Sequence, residues 1–320
     1  MSALTPDHVS TPTDDLMLAL GARTDAISAA IPTGAAIAFV DYPLHINVGD
    51  LLILLGAMDF FDANRNVIGA TSSVFDTGKR ALEAMEATDV IVCHGGGNFG
   101  DIYPRHQMLR ETILKAFPDK PIVIMPQSIS FGSEAALEQS AAIFRRHADV
   151  TLFVRDAPSF EIARKHFSEK VQLMPDMAHR LHDRFAPWRG RADKAGAPFS
   201  LIRRDVEATS DPAEGADWRD MVGFIDKIRM GRHRLLAQLR GRLNRHDAKA
   251  LTAYRSTTHA LIDTIADQFT ASGPWKTNRL HGAIFGLLMG KDVTLMDNSY
   301  GKNSRYFRQW DPEAKLIGAL

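Results

Sequence analysis

The sequence predicts an α/β protein made of two Rossmann-like domains facing a cleft. Short apolar, β-branched runs alternate with helical runs through the first half. Polar, glycine-containing loops follow these runs, and a Gly/Pro/charge-rich stretch precedes a second α/β segment. Such a βαβα rhythm implies a parallel sheet with helices on both faces. The boundaries expected are an N-terminal domain at 1–185, a linker at 186–197 and a C-terminal domain at 198–320. A chain of 320 residues suits two packed domains better than one.

Ala35–Val40 predicts a buried strand, and Asn47–Phe61 a helix with Leu51, Leu52, Leu55 and Met58 at helical spacing. Asn66–Val74 gives a weaker strand signal and Gly78–Glu86 a short helix. Asp89–Cys93 predicts a strand that runs into three glycines, Gly95, Gly96 and Gly97. A helix at Arg105–Phe117, a strand at Pro121–Met125 and a helix at Ser133–His147, capped by Ser133, come next. Val150–Arg155 predicts a strand, Pro158–Phe167 a helix opened by proline, and Val171–Met174 another strand. The second half begins with a strand at Phe199–Arg203. It continues through a long helical region from Trp218 to Phe269, then Trp275–Arg279, a helix at Leu280–Gly290 and a strand at Val293–Met296. Two α/β halves around a cleft suggest the glycosyltransferase-B architecture, although the second half has few strands.

Apolar residues make up 45% of the chain and charged residues 24%, a globular composition. The 38 basic and 38 acidic residues cancel, so the basic excess of a nucleic-acid-binding protein is missing. One cysteine, Cys93, rules out an internal disulfide and suits a reducing cytosol. The first twenty residues lack the basic region of a secretory signal. No apolar run reaches the roughly 18 residues that span a bilayer. A soluble, cytoplasmic protein is expected, one still able to touch the inner membrane peripherally.

In open α/β sheets, ligands bind beyond the carboxyl ends of the strands. Asn47, Gly49 and Asp50 follow the first strand; His94, Gly95, Gly96, Gly97 and Asn98 follow the third. Gln127, Arg155 and Asp176 follow the next three. The glycine run could cradle an anion with its amides, or simply form a tight turn. Asn47 and Asp50 could cap the following helix. In the second half, Arg279 and His281 open an apolar helix, where the dipole favours an anion. Gly282 beside them would let a ligand approach the backbone closely. The plainer alternative is a packed His281 and a salt-bridged Arg279. Asn298 and Lys302 follow the last strand, as a turn or as a polar lip of the cleft. No metal site is expected; His179 and His182 are expected only to share a helix face. Between Ile225 and Lys249 basic residues dominate, and Ile228, Leu235, Leu236, Leu239 and Leu243 share one face. Such a helix could lie on a membrane surface or a polyanion. More commonly it is a solvated face over a packed apolar stripe, and that is the expectation here.

The ordered series Asn47-Val-Gly-Asp50, His94-Gly-Gly-Gly-Asn-Phe-Gly-Asp101, Met125-Pro-Gln-Ser-Ile129, Val154-Arg155-Asp156, Pro175-Asp176, Arg279-Leu-His-Gly282 and Asp297-Asn-Ser-Tyr-Gly-Lys302 resembles the polysaccharide pyruvyltransferases, particularly those of bacterial exopolysaccharide biosynthesis. The resemblance implies a glycosyltransferase-B-like fold, phosphoenolpyruvate as donor substrate with no further cofactor, and a saccharide acceptor, often lipid-linked. It implies that Arg279, His281 and Arg155 contact the donor. Guanidinium forks suit carboxylate and phosphate, and His281 can move a proton near neutral pH, with Asp50 the candidate partner of a sugar hydroxyl. The competing functions are a nucleotide-sugar-dependent glycosyltransferase and a non-catalytic carbohydrate-binding protein.

Overall fold

The computed structural model describes residues 11–191, 195–203, 215–296, 302–313 and 316–317. Helix α1 (Pro12–Arg23), not expected from the sequence, starts with a reciprocal cap between Thr11 and Asp14 and with Pro12 in its first turn. The main sheet contains β1 (Ala36–Val40), β2 (Val67–Ser72), β3 (Val90–Cys93), β4 (Gly96–Gly100), β5 (Ile122–Ser130), β6 (Val150–Val154) and β7 (Lys170–Leu173). Between these strands run α2 (Val48–Ala63), α3 (Lys79–Glu86), α4 (Pro104–Ala116), α5 (Glu134–Phe144) and α6 (Ala157–His166). The strand order is β2-β1-β3-β5-β6-β7, with β4 also on β5. Every pairing is parallel. β1, β3 and β6 are buried along almost their whole length. That is why they read as continuous apolar runs rather than alternating ones.

Gly96–Gly100, expected as a loop, is strand β4. It extends the line of β3 and pairs with the second half of β5, Phe99 opposite Ile129 and Gly100 opposite Ser130. A side chain at Gly100 (φ 130°) would collide with the Ser130 carbonyl, and one at Gly95 would come within 2.8 Å of the Pro126 carbonyl. Gly95 and Gly100 therefore let two backbones meet, and for Gly95 this replaces the anion-cradle reading; Gly96 adopts φ 124°, a conformation that favours glycine. β5 is correspondingly longer than the apolar run Pro121–Met125 suggested.

After two short 3-10 turns, Met177–Leu181 and Asp183–Phe185, the expected linker carries the one-turn helix α7 (Ala186–Arg189). It is pinned rather than free: Trp188 Nε1 donates to Asp267 Oδ1 at 2.8 Å, and Arg189 Nη1 donates to the carbonyl of Leu288 at 3.3 Å. A second sheet of three parallel strands follows, β8 (Phe199–Leu201), β9 (Trp275–Thr277) and β10 (Val293–Leu295), in the order β10-β9-β8. The long helical region is three helices, α8 (Trp218–Met221), α9 (Phe224–Arg242) and α10 (Ala250–Phe269); α11 (Leu280–Leu288) and α12 (Lys302–Trp310) are the remaining helices among the described residues. His179 and His182 do not share a helix face. His179 is buried against Tyr306, and His182 reaches Asp14.

Helix α2 decides how the two sheets join. It is apolar all round and twelve of its residues are buried, as expected of a helix covered on every side. One face lies on the main sheet; α10, α11 and the Met177–Leu181 turn cover the rest. One continuous apolar core therefore runs from β1 and β3 through α2 to Trp275, Phe285 and Leu261. A second core fills the opposite face of the main sheet under α3 to α6. Among the described residues no helix is long and apolar enough to cross a membrane. The basic helix α9 departs from expectation: Ile228, Leu235, Leu236, Leu239 and Leu243 point to solvent, and only Met230 and Ala237 of α9 are buried.

Candidate active site

The order β2-β1-β3 makes the gap beyond β1 and β3 a switch point, where parallel sheets bind ligands. Asp41, directly after β1, sits at φ 65°, a left-handed conformation that a non-glycine residue adopts at a cost of about 1–3 kcal/mol. Its buried carboxylate lies 2.6 Å from His106 Nδ1 and accepts from Arg110 Nη2 at 2.9 Å. Arg110 also donates to the Asn98 side chain, and its Nη1 donates to the Asn98 carbonyl at 3.1 Å. His106 and Arg110 are four residues apart on α4, so both reach one point from the same helix face.

A cavity of about 450 Å³ opens here, within the range of small-ligand sites. Its walls come from both sheets. Asn47 caps α2 by accepting from the Gly49 amide at 3.1 Å, while its Nδ2 donates to Asp50 Oδ2 at 2.8 Å. His45 Nε2 stands 3.5 Å from the same carboxylate oxygen. Across the gap, α11 begins so close to α2 that a Cβ on Gly49 would lie 2.8 Å from His281 Cβ and Nδ1. Gly49 is thus the residue that lets His281 approach.

Asp176, fully buried, ties the halves together. Arg155 Nη1 donates to its Oδ2 at 2.5 Å, and His281 Nε2 stands 3.1 Å from the same oxygen. The Ala178 amide donates to its Oδ1 at 2.9 Å. Burial alone would raise the Asp176 pKa; His281, Arg155 and the Ala178 amide outweigh it and hold the carboxyl well below the usual carboxylate range. An ionised carboxylate only accepts hydrogen bonds, so His281 carries its proton on Nε2. Nδ1 has no hydrogen-bond partner among the described residues and is the nitrogen left for chemistry. Arg155 Nε donates to Ser128 Oγ at 2.9 Å, and its Nη2 would be 3.2 Å from a Cβ on Gly97, at the cavity wall. Tyr306 supports the arrangement from α12. Its Oη accepts from the Asp176 amide at 2.9 Å and hydrogen-bonds with His179 Nε2 at 2.8 Å.

Of the residues singled out in the sequence, Asn47, Asp50, Gly97, Asn98, Arg155, Arg279 and His281 line the cavity. Gly49, Gly95, Gly96, Gln127 and Asp176 lie behind its wall. His94 is also behind the wall. Its Nδ1 pairs with the Gly95 carbonyl at 2.7 Å, and burial pushes its pKa down to about 4. Gln127 Nε2 donates to the His94 carbonyl at 2.8 Å. Gly282 faces away: a side chain there would collide with Thr277 Oγ1, so this glycine serves helix–strand packing and not ligand approach. Lys302 opens α12, and Asn298 lies outside the described residues. Arg279 is paired with Asp217, the N-cap of α8. The salt-bridged alternative for Arg279 and the capping alternative for Asn47 are thus met, and both residues still face the cavity.

Sequence reasoning missed His45, His106, Arg203, Arg219 and Tyr306, which also line it. Only His106 left a signal, its spacing from Arg110. With Arg203 and Arg219, four arginines among the described residues face the cavity against the carboxylates of Asp50 and Asp217. Such a site attracts an anion, and His281 and His106, each on a buried carboxylate, can exchange protons beside it.

Comparison with known proteins agrees with this chemistry. The profile of the polysaccharide pyruvyl transferase family matches residues 47–300. EpsO of Bacillus subtilis, which carries a pyruvyl transferase name, is 33% identical over 94% of each chain. Pyruvyl transferase 1 of Schizosaccharomyces pombe is 33% identical over 86% of this chain and 69% of its own. An uncharacterised Klebsiella pneumoniae protein of known crystal structure shares the fold, with a TM-score of 0.58 at 19% identity over 94% of this chain and 98% of that one. The family profile over residues 47–300 and the relatives matched over most of the chain show that the chain belongs to the polysaccharide pyruvyl transferase family.

Proposed function

We propose that the protein transfers the enolpyruvyl unit of phosphoenolpyruvate to two hydroxyls of one sugar, in an exopolysaccharide or its lipid-linked repeat unit, and leaves a pyruvate ketal. The observation that carries this reading is the meeting of Arg155 and His281, from opposite halves of the chain, on the single carboxylate of Asp176. It sets an anion-binding fork beside an oriented imidazole. We take the cavity as the cleft between two domains divided near residues 186–197, and the cytoplasm as the site of action. No cofactor beyond the donor enters the reading.

The chemistry follows from the charges. Arg155 and Arg279 hold the donor's carboxylate and phosphate. Protonated His281 delivers a proton from Nδ1 to the donor methylene carbon, and Asp176 keeps the ring oriented throughout, as a buried carboxylate does in other acid–base pairs. The adjoining carbon becomes cationic. One sugar hydroxyl attacks it and gives its proton to a base, either the now neutral His281 or Asp50. A second hydroxyl displaces phosphate, and its proton leaves with the phosphate.

Phosphate release from phosphoenolpyruvate, measured with a panel of free and lipid-linked oligosaccharides, tests the reading. Acceptor-dependent release that vanishes in His281→Ala supports it. Release of a nucleotide from a nucleotide sugar would assign the glycosyltransferase alternative. Sugar binding without turnover, indifferent to loss of Arg279 and His281, would assign the non-catalytic one.

A further inference from the structure

Seven of the large apolar side chains that stand exposed belong to one short stretch: Phe224, Ile225, Ile228, Leu235, Leu236 and Leu239 on α9, and its C-cap Leu243. At about 100° per residue they fill an arc of about 120° along the helix. The buried Met230 and Ala237 fall on the opposite side, so the stripe faces directly away from the protein. Proteins that stay in water rarely leave a contiguous apolar stripe uncovered.

The charge around the stripe identifies what covers it. α9 carries six basic residues and one acidic, in a chain whose charges cancel as a whole. Arg240 is spent on Asp76, at 3.0 Å. Lys227, Arg229, Arg232 and Arg242 are exposed; Arg232 projects within the apolar arc and Arg229 and Arg242 border it. A second copy of the chain is a poor cover, because a two-fold contact would lay these cations against one another. Apolar residues flanked by arginines match the acyl boundary and the phosphates of an anionic bilayer.

The helix is also where such a contact would be useful. It follows α8, whose Trp218 and Arg219 line the cavity. At its middle the Arg234 guanidinium lies 4.9 Å from the Phe75 ring, and Arg105 of α4 stands over the same ring at 5.1 Å. Next to Arg105, Ile102, Tyr103 and Met108 are exposed, and Tyr103 reaches the cavity. Stripe and cavity therefore share the rim formed by the carboxyl ends of the strands.

We infer that α9 lies in the surface of an anionic lipid bilayer, apolar arc down, with the cavity mouth held at that surface. The contact needs no assumption about donor or acceptor, so its test is separate from that of the reaction. Flotation of the full chain with vesicles of phosphatidylcholine, alone and mixed with phosphatidylglycerol, should show binding to the mixed vesicles at low salt, at least tenfold tighter than to the neutral ones. Ile228→Glu, Leu235→Glu and Leu239→Glu together should lower that binding more than tenfold. Arg229→Glu, Arg232→Glu and Arg242→Glu should each cost about fivefold or more, the effect of one basic side chain near an anionic surface. Gly231 is exposed with nothing within 4 Å of a Cβ, and Gly231→Leu should tighten binding severalfold, which keeps the test decisive if a Glu variant misfolds. The inference is overturned if the wild type stays in the aqueous fraction with the mixed vesicles at low salt. It is equally overturned if light scattering shows a dimer that the triple apolar variant converts to monomer, because a second copy would then own the stripe.

Discussion

In the proposed reaction His281 acts through one nitrogen. Asp176 occupies Nε2, so only Nδ1 remains to move a proton, and replacing the ring should damage turnover more than affinity. His281→Ala is expected to lower acceptor-dependent phosphate release by roughly 10²–10⁴-fold, with donor affinity by calorimetry changed little. Arg155 and Arg279 should behave in the opposite way. Each faces the cavity while paired to a carboxylate, Asp176 or Asp217, so each is already held in place for a planar anion. Arg155→Ala and Arg279→Ala should weaken phosphoenolpyruvate binding by about 2–5 kcal/mol, as loss of a desolvated charged hydrogen bond does. Arg279→Lys should recover little, since an ammonium lacks the fork. Unchanged donor affinity in both alanine variants would remove the arginines from the donor site.

Helix starts, rather than loops, organise the site. α2 and α11 meet at their N-termini, and Gly49 is the point of contact. In Gly49→Ala the helix itself gains a better former, within about 1 kcal/mol in stability. The new methyl, 2.8 Å from His281 Cβ and Nδ1, must displace the imidazole from its line to Asp176. Turnover should drop toward that of His281→Ala, and because the methyl also presses on His281 Cβ at the start of α11, overpacking should cost about 1–3 kcal/mol of stability. In the double variant Gly49→Ala should add little further loss, because both changes remove one function. Wild-type turnover in Gly49→Ala would mean that the position of His281 matters less than its presence.

At the scale of the molecule, the shared core around α2 encloses histidines that water cannot reach. His94 and His179 are pushed down from 6.5 to about 4, by desolvation first and against the raising effect of nearby aspartates. The folded chain therefore keeps both imidazoles neutral down to about pH 4, whereas the unfolded chain protonates them near 6.5. Between those values the unfolded state binds more protons, so stability is complete above pH 6.5 and is lost as pH falls toward 4. At pH 5 the loss should be about 2 kcal/mol for each histidine, visible as a lower melting temperature at pH 5 than at pH 7. A melting temperature flat across that interval would contradict neutral burial of both rings.

What the sequence by itself determined is the part of the molecule set by local patterns. The apolar runs at β1, β3 and β6 specify buried parallel strands because both faces of those strands are covered, and Ser133 and Asn47 mark helix starts because their side chains accept from backbone amides. The ordered motifs placed Arg155, Arg279 and His281 at a common site. Tertiary structure decided the rest, because it depends on contacts between residues far apart in the chain. Asp176 read as one more loop carboxylate until Arg155 and His281 closed on it, across 21 and 105 residues. The glycines after His94 left an anion cradle and a tight turn both open, and the structure uses Gly95 and Gly100 for the close approach of β3 and β4 to β5. Arg203 and Arg219 carry no motif and join the cavity only through the packing of the second sheet. The apolar side of α9 has the spacing of a packed stripe in either orientation. Burying Met230 and Ala237 instead is a choice made by their neighbours, and it leaves the larger apolar face to solvent.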